Sequence, residues 1–268
     1  MKFKRIRKGL GQPHNALLSA QTIEIAYIIS WKNIKVRYKS SVLGIVWSLA
    51  TPLIFLLIFV FIFNQAFSEV ENYPLFALSG LIFWNFFATA TSQIIGSVVE
   101  AAGILKSIPV PPILFPLSSL IAAAFNLVIS LIPFSILMIV FGNVPNFSSL
   151  LLIPVIFLYS CFILGLSMVM AALNVYLRDI GMLWSSLLPA ILYLTPIAYP
   201  VTLIPEKWRW LMNFNPLFHY INAVRSILYN SVPPNMSDFL IMIVVSGVSL
   251  MIGIGVFKKI ERNFISAI

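Results

Sequence analysis

Charge is scarce in this chain: 8 acidic and 17 basic residues stand among 268, 9% in all, against 60% hydrophobic residues. The mean hydropathy is +0.99, whereas a soluble domain carries about 25% charged residues to wet its surface. A water-soluble core is excluded, and the units to count are bilayer crossings of about 20 residues each. The one cysteine, Cys161, lies in an apolar run, which excludes an intrachain disulfide and a CxxC metal cluster and leaves a small core hydrophobe. The histidines are His14 and His219 alone, and the acids are scattered, with only Glu69 and Glu71 close together. A transferase working in the membrane needs clustered carboxylates for metal or acid-base work, so this scatter opposes an embedded enzyme. There is no GxxxxGK[ST] loop to cradle ATP phosphates. No ionisable residue stands in the middle of an apolar run, where ion-coupled carriers keep theirs. The chain is expected to bind no cofactor or metal itself, to be no enzyme, and to draw its energy from elsewhere.

What is present is a series of apolar runs: Val42 to Phe63, Leu75 to Val99, Ile113 to Phe141, Leu150 to Leu173, Met182 to Tyr199 and Phe239 to Phe257. The first, at 22 residues and about 1.5 Å of rise each, spans about 33 Å, enough for a hydrocarbon core of about 30 Å. Six crossings put both termini on one side. Nine of the 17 basic residues precede the first run, and Lys106, Arg178, Lys258, Lys259 and Arg262 fall on the same side of this map. Only Lys207, Arg209 and Arg225 fall opposite. Positive residues are retained in the cytoplasm, so both termini are expected there, in a bacterial cytoplasmic membrane. The charge of +9 is a topology signal, and no nucleic acid is expected as a partner. The basic start lacks a following short apolar stretch with a small-residue cleavage site, so no cleaved signal peptide is expected.

Two segments stand apart. Trp208 to Leu228 is apolar but carries Arg209, His219 and Arg225 and is broken by Asn213, Asn215 and Pro216. An Arg at the bilayer centre costs about 2.5 to 3.5 kcal/mol on insertion scales. The segment therefore reads as short external or re-entrant helices, beside a translocation path where broken backbone finds partners. Before the first run, Ala16, Ala20, Ile23, Tyr27, Trp31 and Ile34 recur at helical spacing, with Asn15, Ser19, Thr22, Ser30 and Asn33 on another face. That pattern predicts an interfacial helix on membrane lipids, its basic tail from Lys32 to Lys39 meeting anionic headgroups. The fold class is all-α and polytopic: a cytoplasmic N-terminus over 1–41, a six-span domain over 42–257, and a cytoplasmic tail over 258–268. The 22 Phe, 9 Tyr and 6 Trp include Trp47, Trp84, Trp184 and Tyr193 in or near the runs. Aromatic faces suit a sliding glycan, although aromatics also line lipid interfaces.

The stretch from Arg37 to Leu53, RYKSSVLGIVWSLATPL, resembles the start of the first span in permeases of type-2 ATP-binding-cassette exporters, in the polysaccharide and polyol-phosphate export branch. Further similarities follow in order: LNVYLRDI at Leu173 to Ile180, LTPIAYP at Leu194 to Pro200, and NPLFHY at Asn215 to Tyr220 with Arg225. The resemblance runs from about residue 20 to 260. It implies a homodimer working with two copies of a separate cytoplasmic ATPase, which supplies the ATP and Mg chemistry. The cargo it implies is an O-antigen, capsule or teichoic-acid polymer on a polyprenyl diphosphate. It also implies ATPase docking through the N-terminal helix, with Tyr27 and Trp31, and through the loop Glu100 to Pro112, with Glu100, Lys106, Ile108 and Pro109. Short gate helices are implied between spans five and six, with Trp208, Pro216, His219 and Arg225. Arg37 and Lys39, at the cytoplasmic mouth, are the candidates for the diphosphate, since an Arg fork matches phosphate oxygens. Trp47, Trp84 and Tyr193 are the candidates for the glycan, and Arg178 with Asp179 for an ion pair fixing the loop between spans four and five. Type-2 permeases also export drugs and other small amphiphiles, which keep the fold and change the cargo.

Overall fold

A computed structural model describes residues 20–39, 50, 53–54, 57–58, 61, 70–143 and 146–267. Among them all regular structure is helical. In chain order the α-helices are α1 (Ala20–Lys39), α2 (Tyr73–Glu100), α3 (Ala102–Ser107), α4 (Leu114–Val140), α5 (Leu152–Tyr176), α6 (Asp179–Leu194), α7 (Glu206–Arg209), α8 (Pro216–Leu228), α9 (Met236–Ile260) and α10 (Phe264–Ala267). Among the described residues four apolar segments are long enough to cross a membrane: Tyr73–Ser107, Leu114–Val140, Phe147–Tyr176 and Met236–Asn263. These match the second, third, fourth and sixth expected runs. Most of the first run lies outside the described residues; within it Ile54, Leu57, Ile58 and Phe61 are helical and exposed.

The fifth run is shorter than its hydropathy suggests. Hydrophobic residues continue to Tyr199, yet α6 stops at Leu194, and Thr195 turns extended (φ −104°, ψ 130°). Pro196 is the reason, because its ring disfavours helix in the residue before it and removes a backbone donor. At 16 residues, α6 is about 24 Å long, short of the roughly 30 Å hydrocarbon core.

α2 is the axis of the bundle. Its apolar window is 72% buried, against 17% for α9, and it packs against α4, α5, α6 and α8. The tightest pair is α5 with α9. A Cβ on Gly165 would fall on the Ser249 carbonyl and 2.5 Å from the Leu250 amide nitrogen, and one on Gly253 would lie 2.6 Å from the Gly165 Cα. The Ser249 and Ser246 hydroxyls donate across the pair to the carbonyls of Phe162 (3.0 Å) and Leu158 (2.8 Å). With lipid on the outside, burial of apolar surface drives helices together weakly, so close backbone approach and hydrogen bonds carry the association.

α8 is wedged into the bundle. Asn215 caps its start by accepting from the Leu217 amide, with Pro216 in the first turn, where a missing N–H costs nothing. Its 13 residues reach about 20 Å, and Leu217, Tyr220, Ile221, Val224 and Leu228 are buried against α2, α5 and α9. The sequence expectation of a short, non-spanning helix here agrees with this geometry. α1 lies against α4, where the Ser118 hydroxyl donates to the Ala26 carbonyl (3.3 Å) and Ser30 is buried. Ala26, Ile29 and Ser30 face protein, while Tyr27, Ile28, Trp31 and Val36 are exposed.

Candidate functional site

One end of the bundle gathers α1, α3, the turn from α5 to α6, and α10. Ile29, Lys32 and Asn33 of α1 share a cleft of about 70 Å³ with Ser97, Glu100, Ile104 and Ser119. The sequence nominated α1 and the 100–112 loop separately; the structure brings them into one surface. Buried Leu105 pins α3, which leaves Glu100, Lys106 and Pro109 exposed and Ile108 half-buried. Tyr27 and Trp31 are exposed nearby on α1, with the Lys35 ammonium 5.5 Å from the Trp31 ring. Arg37 and Lys39 fall in the last turn of α1; their side chains, and Trp47, lie outside the described residues.

At the same end Asn174, in the LNVYLRD segment, does what was expected of Arg178 and Asp179. Its carboxamide donates to the Ile95 carbonyl (3.1 Å) and accepts from the Gly181 amide (3.0 Å), tying the α5–α6 turn to α2. Arg178 and Asp179 are exposed and make no ion pair among the described residues. An exposed pair is worth about 0 to 1 kcal/mol, so little is lost.

The opposite end unites the two remaining motifs. Arg225, 7% exposed, donates to the carbonyls of Pro196 (2.7 Å) and Ile197, and its guanidinium lies 3.7 Å from the centre of the Phe76 ring. The Asn215 carboxamide donates to the Thr195 hydroxyl (2.9 Å), and the Tyr73 hydroxyl donates to the Ala198 carbonyl (2.8 Å). A Cβ on Gly80 would lie 2.6 Å from the Ile197 carbonyl oxygen, so only glycine lets this bend rest on α2. The buried cation thus sits just past the C-terminal, negative end of α6, held by the carbonyls of the bend that follows it and by an aromatic face.

His219, 3% exposed, has its Nδ1 2.7 Å from an Asp238 carboxylate oxygen and its Nε2 3.0 Å from the Asn213 carbonyl. Asn222 donates to the other Asp238 oxygen at 2.7 Å. Asp238 thereby fastens α8 to the first turn of α9, a role no sequence pattern announced. Pro216 starts α8, while Trp208 is 48% exposed on α7. Burial raises the Tyr229 phenol above its ordinary pKa, and the Glu71 carboxylate pushes the same way, so it stays a neutral donor.

The aromatic candidates part company. Trp84 is 9% exposed and 5.6 Å from Phe87, inside a packed ladder where Tyr159 stacks on Tyr220 at 4.6 Å. Tyr193 is 71% exposed on α6. Trp184 is buried, its indole N–H donating to the Thr91 hydroxyl at 2.8 Å. Among the described residues no cluster of His, Cys, Asp and Glu could hold a metal.

The family described as ABC-2 type transporter matches residues 25–229, from within α1 to the end of α8. Along more of the length, the chain is 32% identical over 243 residues to an O-antigen export system permease protein of Klebsiella pneumoniae, covering 90% of this chain and 93% of that one. It is 27% identical over 240 residues to the permease of the same description in Myxococcus xanthus, covering 88% and 92%. To a polysialic acid transport protein of Escherichia coli it is 23% identical over 261 residues, covering 92% and 96%. On these grounds the chain belongs to the ABC-2 type transporter family.

Proposed function

We propose that this chain is the membrane-spanning subunit of an exporter that moves a lipid-linked polysaccharide across the cytoplasmic membrane. The observation that carries the reading is the similarity to polysaccharide-export permeases over about nine tenths of the chain, with the LNVYLRDI segment tied in at one end of the bundle and LTPIAYP meeting NPLFHY at the other. In this reading there are six crossings, the first over 42–63, and two copies form the path through their first and fifth spans. The exposed stripe of Ile54, Leu57, Ile58 and Phe61 and the exposed face of α6 support that pairing. The end with α1 and α3 is cytoplasmic, since Lys32, Lys35, Lys106, Arg178, Lys258, Lys259 and Arg262 lie there.

A separate ATPase docks on the surface shared by α1 and α3. Closure of its nucleotide sites pulls on that surface, and the different affinity of ATP for the two states drives the change. Arg37 and Lys39 take the diphosphate of the lipid carrier, and Trp47 and Tyr193 contact the glycan. Trp84 serves the path from behind, as packing. The clamp of Arg225 and the short helices α7 and α8 form the external gate.

Deleting the gene is expected to strip polymer from the cell surface and to accumulate lipid-linked glycan inside; complementation with Arg37→Ala is expected to restore the protein but not export. An unchanged glycan profile in the deletion would move the cargo to a small amphiphile. Changing Ile108 and Pro109 together to glycine is expected to leave chain abundance intact while abolishing stimulation of the partner's ATP hydrolysis by substrate. Hydrolysis stimulated as in the wild type would remove this loop from the docking surface.

A further inference from the structure

Three connections meet at the end of the bundle opposite α3: the turn before α2, the turn after α4 and the turn after α8. Between them lies an open basin of about 390 Å³ lined by Glu71, Asn72, Phe141, Asn143, Tyr229 and Asn230. Small-ligand sites run from about 300 to 1,000 Å³, so the basin has room for a short saccharide. Its frame is fixed internally. The Tyr229 hydroxyl donates to the Glu71 backbone carbonyl, and the Tyr229 ring meets Phe76 edge-on at 5.7 Å. The Asn143 carboxamide donates to the Tyr229 carbonyl (2.8 Å) and accepts from the Ser231 hydroxyl (2.8 Å).

Other polar groups in the lining are uncommitted. Asn72 stands in the left-handed region (φ 49°) and caps α2 with its backbone, its side chain making no cap hydrogen bond. The side chains of Glu71 and Asn230, both exposed, make no hydrogen bond or ion pair among the described residues. The strained backbone at Asn72 therefore aims a carboxamide that α2 itself does not use, beside a carboxylate and a second carboxamide.

The chemistry of this set is selective. A carboxylate accepts from neighbouring hydroxyls, and a carboxamide both donates and accepts, as a hydroxyl does. The lining is predominantly polar, with Phe141 and Tyr229 bordering it, as suits a hydroxyl-rich ligand. Among the described residues no Lys or Arg lines the basin and Glu71 is its one carboxylate, a set that favours neither a phosphate nor a divalent cation, which takes several oxygen ligands with more charge. We propose that this basin is a binding site for a neutral saccharide unit of the exported polymer, on the outer side of the membrane. The proposal rests on the polysaccharide-export reading and adds to it a contact made after translocation.

The test uses the chain in phosphatidylethanolamine and phosphatidylglycerol nanodiscs, with fragments of the host cell's own surface polysaccharide, released by mild acid, as titrant in calorimetry. Asn72→Gly keeps the left-handed backbone and deletes only the carboxamide; Glu71→Ala and Asn230→Ala remove one group each without touching the frame, since Tyr229 bonds the Glu71 backbone carbonyl. Each is expected to weaken fragment binding about tenfold or more, as sites built to hydrogen-bond a substrate hydroxyl lose affinity when the pair is broken. Thermal midpoints should stay unchanged, which separates loss of contact from loss of structure. Fragments that fail to bind the parent chain, or that bind all three variants equally well, overturn the basin as a sugar site. Failure of the export reading shows itself separately, as an unchanged surface glycan in the gene deletion.

Discussion

Gly165→Leu is expected to leave little folded protein in the membrane, and Gly165→Ala a reduced amount with a lowered melting midpoint. The Cβ that either substitution adds lands on the Ser249 backbone and 2.5 Å from the Leu250 nitrogen, where carbon atoms ordinarily keep about 3.5 to 4.0 Å. Backbone cannot rotate away as a side chain can, so α5 and α9 must part by about 1 Å along their whole contact. Overpacking of a well-packed core costs about 1 to 3 kcal/mol, and parting also stretches the hydrogen bonds from Ser246 and Ser249. Those bonds are the smaller share, at about 0.6 kcal/mol each inside a membrane protein. Ser249→Ala should therefore be mild where Gly165→Leu is severe. Gly247 and Gly255 of the same α9 face open space, and Gly255→Leu is the matched control. Size-exclusion profiles and melting midpoints in detergent check the series; equal behaviour of Gly253→Leu and Gly255→Leu would show that backbone contact does not hold this pair.

Much of this fold is legible because a bilayer punishes error: an apolar run must become a helix, and its ends are marked by charge or proline. Tyr73–Glu100 and Leu114–Val140 each lie within two residues of the expected runs at both ends. Hydropathy misjudged α6, since Ile197, Ala198 and Tyr199 are apolar but sit beyond the Thr195–Pro196 break. That stretch is buried by protein, against α2 and Arg225, and a hydropathy sum cannot tell a protein interior from lipid. The motifs LTPIAYP and NPLFHY were readable as motifs, yet their meeting through Asn215 and Thr195 joins residues 20 apart. Asp238 was counted among scattered acids because its partners, His219 and Asn222, are across a turn and on another helix. Likewise Trp84 gives no sequence sign of facing Phe87 rather than a path. Contacts between helices depend on rotation about each axis, and within a uniformly apolar span no polar face records that rotation.

Arg225→Ala is expected to abolish export and lower the amount of chain in the membrane, although the residue lies at the opposite end of the bundle from α1 and α3. Its guanidinium holds two carbonyls, of Pro196 and Ile197, and lies on the Phe76 ring. Truncation leaves those carbonyls buried without a donor, at about 1 to 3 kcal/mol each, and adds a cavity beneath Phe76. Helix α6 then loses the anchor of its outer end, and the 195–215 connection swings free of α2 and α8. Phe76→Leu removes the cation–π contact, about 2 kcal/mol at a desolvated site, and the ring contacts with Tyr73 and Tyr229, but leaves both carbonyls bonded, so it should retain partial export. Arg225→Lys keeps the charge but offers a point donor in place of a fork that spans two carbonyls, and should fall between. The order Ala, then Lys, then Phe76→Leu, from most to least damaged, is what a clamp requires. Surface polymer measured against chain abundance in the same membranes checks it. Arg225→Ala exporting at the parental rate per molecule would mean that the end of α6 needs no anchor.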